Sequence, residues 1–354
     1  MNADLNTIFS KRLKSAREMR SMSMAALSAA LGNAVSPQAI YKYEAGKMLP
    51  GSPQLIALSR VLDVPIDFFF RPFTVSVSGI EFRKKYKLGA KERKSIEGEA
   101  IDKVEKYFEI EEICGKRETC PLHLGVYMRD EEDVLTLVRN LRKDWGLEDK
   151  PLGNVIQLLE SKGIIVIEIQ ASRDFDGLSG LANGIPIIVL NKEFPSPERK
   201  RFTALHELGH LVMRFDENME DRQVETLCHL FASEMLLPRN LFEQEVGDIY
   251  HRQVSLQEFA VVQQKYGISI DALMYKAKEA HMIPENRQRN YHILKNTRPA
   301  FKEFAEKSRT IEETSARFES LVYQALSCDL ISLSKASGLL GLPVDQILSH
   351  STFI

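Results

Sequence analysis

The 354-residue sequence predicts an α+β protein, predominantly helical, with a small three-stranded sheet near its middle. Helical amphipathic periodicity runs through both ends of the chain. One region, residues 163–190, is instead rich in β-branched residues and broken by a tight Asn183-Gly184 turn. Apolar content is 44% and charged content 27%, as in an ordinary globular protein. No apolar run approaches the roughly 20 residues of a membrane span. The N-terminal segment lacks the apolar core of a secretory leader. Cys114, Cys120, Cys228 and Cys328 are sparse and irregularly spaced, which argues against a disulfide framework. The expected location is therefore cytoplasmic, with no membrane partner. Cys114, Cys120 and His123 match no common zinc spacing and read as thiols and a histidine without a metal.

Charge is unevenly spread. Residues 1–94 carry 16 Lys and Arg against 7 Asp and Glu, a balance of +9 in a chain whose net charge is -2. A basic head on an acidic body suits a polyanionic partner.

Residues 1–72 read as a bundle of five short helices. The first, IFSKRLKSAREMR, has an apolar stripe and basic outer faces. The second, MAALSAALG, stops at Gly32. In SPQAIYKYEAGKMLP, Ser36 caps a third helix and Pro37 begins it, where its missing N–H costs nothing. Ser52 and Pro53 repeat that grammar, and Asp67 with the Phe68–Phe70 run closes a fifth helix. The helix order and the S-x3-I-x3-E-x-G-x3-P stretch resemble the XRE/Cro-like helix-turn-helix family over residues 8–70. The resemblance implies that the helix at 36–45 enters the major groove of double-stranded operator DNA. Ser36, Gln38, Ala39 and Lys42 then face DNA, with Gln38 suited to adenine. Lys42, Lys47 and Arg17 suit phosphate. The GNAV turn is about two residues longer than usual in that family. Such readers bind paired half-sites, so a homodimer is expected.

Residues 73–130 form a connector. Its 90–114 segment reads as one long helix, either an arm or dimerisation surface, or a helix packed along its own chain. Residues 131–147 and 151–163 read as two further amphipathic helices, the second entered at Pro151. GIIVIEIQ, Leu178–Leu181 and Ile185–Leu190 are the three strands.

SPERKRFTALHELGHLVMRF follows as a helix capped by Ser196. His206 and His210 stand at i and i+4, about 6 Å apart on one face. Both imidazoles can reach one Zn2+ at roughly 2.0–2.1 Å. Glu207, turned about 100° from His206, can hold the attacking water without ligating the metal. A catalytic zinc needs a third ligand and an open position. The next helix, QVETLCHLFASEMLLP, offers Glu225 and His229 at i and i+4, with Cys228 between them; Asp216, Glu217 and Glu220 are weaker candidates.

The pairing H-E-L-G-H … E-x3-H-x-F-A-S-E-M-L-L-P resembles the ImmA/IrrE family of zinc metallopeptidases. EFRKKYKLGAKE, LLESKGIIVIEI and DGLSGLANGIPIIVLN extend that resemblance to the branch in which an XRE-type domain precedes the peptidase. It implies a zincin-like peptidase domain over residues 131–284 and one Zn2+ per chain, held by His206, His210 and Glu225. Glu207 is then the catalytic base. The family's alanine-asparagine pair is replaced by Cys228-His229, which leaves His229 as a partner of the ligands, an oxyanion donor or an alternative ligand. The Asn183-Gly184 hairpin is a second source of an oxyanion N–H, and 185–190 reads as an edge strand able to align a peptide.

Residues 285–354 read as a helical C-terminal region, with Asn286–Asn296 as a linker. The whole-chain expectation is a DNA-binding regulator whose zinc endopeptidase cleaves a repressor-type protein and so controls mobile-element or stress genes. The alternative is a non-proteolytic, metal- or ligand-responsive repressor, or an antitoxin, in which the zinc site is structural or sensory.

Overall fold

The computed structural model describes residues 5–78, 88–117 and 122–350. Cys120 and most of the EFRKKYKLGAKE stretch lie outside them. No described helix is long and apolar enough to cross a membrane.

The N-terminal module comprises α1 (Leu5–Met19), α2 (Met24–Ala30), α3 (Pro37–Glu44), α4 (Ser52–Leu62) and a 3-10 turn at Ile66–Phe70. The expected fifth helix is thus that turn. Ser23 and Ser36 cap α2 and α3 by accepting from Ala26 N and Ala39 N. Phe9, Leu13, Leu27, Ile40, Leu58, Leu62, Phe68 and Phe69 make a core of their own. The long turn after α2 runs through Gly32 and Asn33, both at positive φ. Ser28 Oγ donates to Val35 O at 2.7 Å and pins it.

The chain continues through β1 (Val77–Ser78), α5 (Ala90–Cys114), β2 (Val126–Tyr127), α6 (Glu131–Asp144) and α7 (Val155–Ser161). Asn154, rather than Pro151, marks the entry to α7, because its side chain accepts from Gln157 N. β3 (Ile165–Ile169), β4 (Gly177–Ala182) and β5 (Ile185–Asn191) are the three expected strands. The order is β1-β4-β5-β3, with β4 antiparallel and β3 parallel to β5. β5 is therefore central. Its backbone is paired on both sides, so the expectation that it aligns a peptide as an edge strand is corrected.

Both faces of the sheet are buried, which explains why its strands read as nearly continuous apolar runs. Val166, Ile188 and Leu190 point to one core. Ile165, Ile167, Ile169, Ile187 and Val189 point to another. The first core contains α8 (Pro197–Val212), β6 (Met213–Arg214), α9 (Asp221–Leu236), α10 (Arg239–Val246), α11 (Leu256–Tyr266) and α12 (Ile270–Glu279). α13 (Glu285–Thr297) and α14 (Pro299–Glu306) cover its far side through Tyr291 and Ala305. The expected linker at 286–296 is thus helical. Tyr291 is buried and donates to Asp271, and Lys295 bridges Asp271 and Glu306. The second core joins α5 to α15 (Arg317–Ser327), α16 (Leu333–Leu340) and α17 (Val344–His350).

α5 packs along its own chain rather than standing off as an arm. One flank meets the sheet through Ile96, Val104 and Tyr107. Another receives the N-terminal module: Arg12, 1% exposed, pairs with buried Glu105 at 2.8 Å and donates to the carbonyls of Arg71 and Pro72. Phe73 lies over the Arg12 guanidinium, 3.7 Å from centroid to Cζ.

Residues 307–316 form a non-helical strap across the start of α8. Glu198 accepts from Ser308 Oγ, Arg309 N and Thr310 Oγ1. Glu313, 2% exposed, accepts from Val155 N at 2.7 Å, from Ile156 N at 3.2 Å and from the Arg201 guanidinium. One carboxylate thus serves the N-terminus of α7 and a buried arginine on α8. Removing it leaves both uncompensated, so Glu313→Ala is expected to cost about 3–5 kcal/mol in urea unfolding. A loss below about 1 kcal/mol, the range of surface pairs, would contradict this reading of the strap.

Candidate functional site

α8 starts where Ser196 Oγ accepts from Arg199 N, with Pro197 in its first turn. Its buried face, Ala204, Leu205, Leu208 and Val212, lies in the first core. α9 begins at a capping box formed by Glu220 and Gln223 and buries Val224, Leu227, Phe231 and Met235. The two helices meet at Gly209. A Cβ there would stand 3.2 Å from the Phe231 ring and 3.2 Å from Met213 Cε.

This crossing brings three ligand-type atoms together. His206 Nε2 and His210 Nε2 are 3.1 Å apart. Glu225 Oε2 is 3.3 Å from His206 Nε2, and Oε1 is 3.6 Å from His210 Nε2. Ligand atoms each roughly 2.0–2.1 Å from a tetrahedral zinc stand about 3.3–3.4 Å apart, so the three fit one ion. Three groups presenting lone pairs to one point repel one another unless a proton or cation lies between them. Among the described residues, no other cluster of three His, Cys, Asp or Glu side chains lies so close.

The weaker third-ligand candidates point elsewhere. Asp216 accepts from Asn218 N–H and its side-chain amide, and from the Tyr127 hydroxyl. These bonds from Asn218 hold its carboxyl below the usual value. Glu220 caps α9, and Glu217 is exposed outside the cluster.

His229 is exposed at the cleft, its ring 4.6 Å from that of His206 and 5.8 Å from Phe202. Cys228 is in contact with the other ligand histidine, His210. Its sulfur lies 3.0 Å from His210 Nδ1, on the opposite side of the ring from Glu225. Glu207 is 5% exposed, and Ser179 Oγ donates to its Oε2 at 2.8 Å. Ser179 had no sequence signal beyond its place in a strand facing α8.

The cluster opens into a cleft of about 770 Å³. Residues 177–181 of β4 line it, together with Phe202, Leu211 and His229. The Asn183-Gly184 turn does not line the cleft. The Asn183 backbone N–H instead donates to Ser76 O at 2.9 Å, so this turn is corrected as an oxyanion donor. Gly177 allows β4 to lie close, since a Cβ would be 2.9 Å from Val189 O and 3.2 Å from Thr203.

On the N-terminal module, Gln38, Lys42 and Lys47 are exposed and, with Pro37 and Tyr41, line a shallow groove. Tyr41, 54% exposed, was missed from sequence; its place one turn from Gln38 was the available signal. Ser36 is exposed, though its hydroxyl oxygen caps α3. Ala39 is half-buried against the module's core. Arg17 is corrected as a phosphate ligand. It is buried, donates to both Glu44 oxygens at 2.6 and 2.8 Å, and donates to Met22 O. Its hydrogen bonds to the Glu44 carboxylate raise its pKa further.

Two family models match the chain. One is a helix-turn-helix, over residues 13–69. The other is the IrrE N-terminal-like domain, a peptidase family, over residues 159–278. The chain fuses an XRE-type helix-turn-helix to an ImmA/IrrE-like peptidase domain. No curated protein matches the sequence. The matched spans contain α3 and the whole His206–Glu225 cluster.

Lys42 is thus exposed at the groove while Arg17 is held inside the module. Lys42→Ala is expected to weaken DNA binding across sequences without changing the unfolding temperature. Arg17→Ala is expected to lower the unfolding temperature of the N-terminal module by several degrees, as about 1–2 kcal/mol would. Parallel mobility-shift and calorimetric measurements check this. An Arg17→Ala protein that unfolds like wild type would restore Arg17 to the DNA face.

Proposed function

We propose that the chain is a DNA-binding transcriptional regulator that cleaves a repressor-type protein with a zinc-dependent endopeptidase. The observation that carries the reading is the convergence of His206, His210 and Glu225 beside Glu207 in an open cleft. Family membership of the two segments supports it. His206, His210 and Glu225 hold one Zn2+. Zinc, when bound, supplies Lewis acidity toward a scissile carbonyl and toward water. Glu207 takes the proton from the attacking water and passes it to the leaving amine. Ser179 keeps that carboxylate turned toward the cleft by its bond to Oε2. His229, exposed beside His206, donates to the developing oxyanion. The extended wall 177–181 suits a peptide laid along the cleft.

Gln38 and Tyr41 read bases, while Lys42 and Lys47 hold phosphates. A homodimer places two such helices on paired half-sites. Fusion of reader and peptidase makes a regulator at the same promoter, or this chain itself, the natural substrate class.

Incubation of zinc-loaded protein with XRE-type repressors tests the reading. Wild type is expected to give discrete fragments, and Glu207→Gln to be slower by at least about 10²-fold while retaining zinc. Identical intact bands from both, with zinc bound, would favour the sensory, non-proteolytic reading.

A further inference from the structure

We propose that Cys228 is a positioning residue of the metal centre: its sulfur accepts a hydrogen bond from His210 Nδ1 and so presents Nε2 of that ring to the ion. The proposal rests on the zinc-binding reading of His206, His210 and Glu225.

Cys228 lies on α9, three residues after Glu225, so the same helix supplies a ligand and a support. It is fully buried, and its sulfur is 3.0 Å from His210 Nδ1. The other nitrogen of that ring faces His206 Nε2 at 3.1 Å and Glu225 Oε1 at 3.6 Å. A neutral imidazole carries one N–H and one lone pair. A proton held at Nδ1 leaves the lone pair at Nε2, where the ion would sit. Ligand histidines commonly donate their outer N–H to a carboxylate, carbonyl or water. Sulfur is a weaker acceptor than any of these. It therefore orients the ring while adding little to its basicity.

The two histidines are not equivalent in this respect. His206 Nδ1 is buried without a hydrogen-bond partner among the described residues. His206 is steadied by ring contacts with His210 and His229 instead. Cys228 supports a ligand nitrogen from behind. The same geometry places the sulfur away from the ion, so Cys228 is not a ligand.

Competition with a chromophoric chelator measures zinc affinity of full-length wild type, Cys228→Ala, Cys228→Ser and His210→Ala, with thermal unfolding of each metal-free protein alongside. Cys228→Ala is expected to weaken zinc about 10-fold, the low end for loss of such a support. Cys228→Ser, which keeps an acceptor, is expected to recover most of that loss. His210→Ala is expected to lose zinc binding. Wild-type affinity in Cys228→Ala, or a folded Cys228→Ser as weak as His210→Ala, overturns the proposal. Undiminished binding in His210→Ala overturns the zinc reading itself. Cobalt substitution gives a second readout. A sulfur-to-cobalt charge-transfer band that vanishes in Cys228→Ala would make Cys228 a ligand and overturn its positioning role; the expected spectrum has none.

Discussion

The close crossing of α8 and α9 at Gly209 is the constraint on which the site depends. Two histidines one turn apart on α8 make only half a metal site, and the remaining ligand must come from another element. Glycine inside a helix costs about 1 kcal/mol relative to alanine. Here it lets the Phe231 ring lie where a side chain would otherwise stand, with 3.2 Å to the missing Cβ. That approach sets the distance from Glu225 to both imidazoles. It also sets the distance from Cys228 to the back of His210.

The surroundings fix α8 from three sides. β4 lies over it because Gly177 leaves room beside Thr203. α9 packs on its opposite flank. The strap at 307–316 grips its first turns through Glu198, Lys200 and Arg201. Beyond the sheet, α5 links this framework to the N-terminal module through Arg12 and Glu105, an ion pair with both side chains almost completely buried. A buried pair of this kind is weak evidence for added stability, since desolvation offsets the attraction. It does define one orientation of the module against α5, which an apolar patch would hold less specifically.

The part of this that the sequence made legible is the part encoded locally. Ser36-Pro37 and Ser196-Pro197 announce helix starts, and alternation of β-branched runs with Asn183-Gly184 announces the strands. The His206–His210 spacing is a property of one helix and needs nothing else. Glu225 required likeness to a known family, because no local rule says which acidic residue α9 turns toward α8. For the same reason the sequence does not say which ligand each of Cys228 and His229 meets: Cys228 meets His210 and His229 meets His206. They are adjacent in sequence, and the crossing of the two helices decides which ligand ring each one faces. Arg17 misled because its partner Glu44 lies on another helix, 27 residues away. Asn286–Asn296 looked like a linker because its helix is held by one buried ring, Tyr291, and by ion pairs, not by a broad apolar stripe. Strand order was likewise hidden, since β5 gains its central place from pairings on both sides.

The central claim is that one zinc ion is held jointly by α8 and α9. Metal analysis of purified full-length protein, wild type against Glu225→Ala, tests it most directly. One zinc per chain in wild type and a loss of most of it in Glu225→Ala is the predicted result. Full zinc content in Glu225→Ala, or none in either protein after growth and dialysis with zinc, would contradict it.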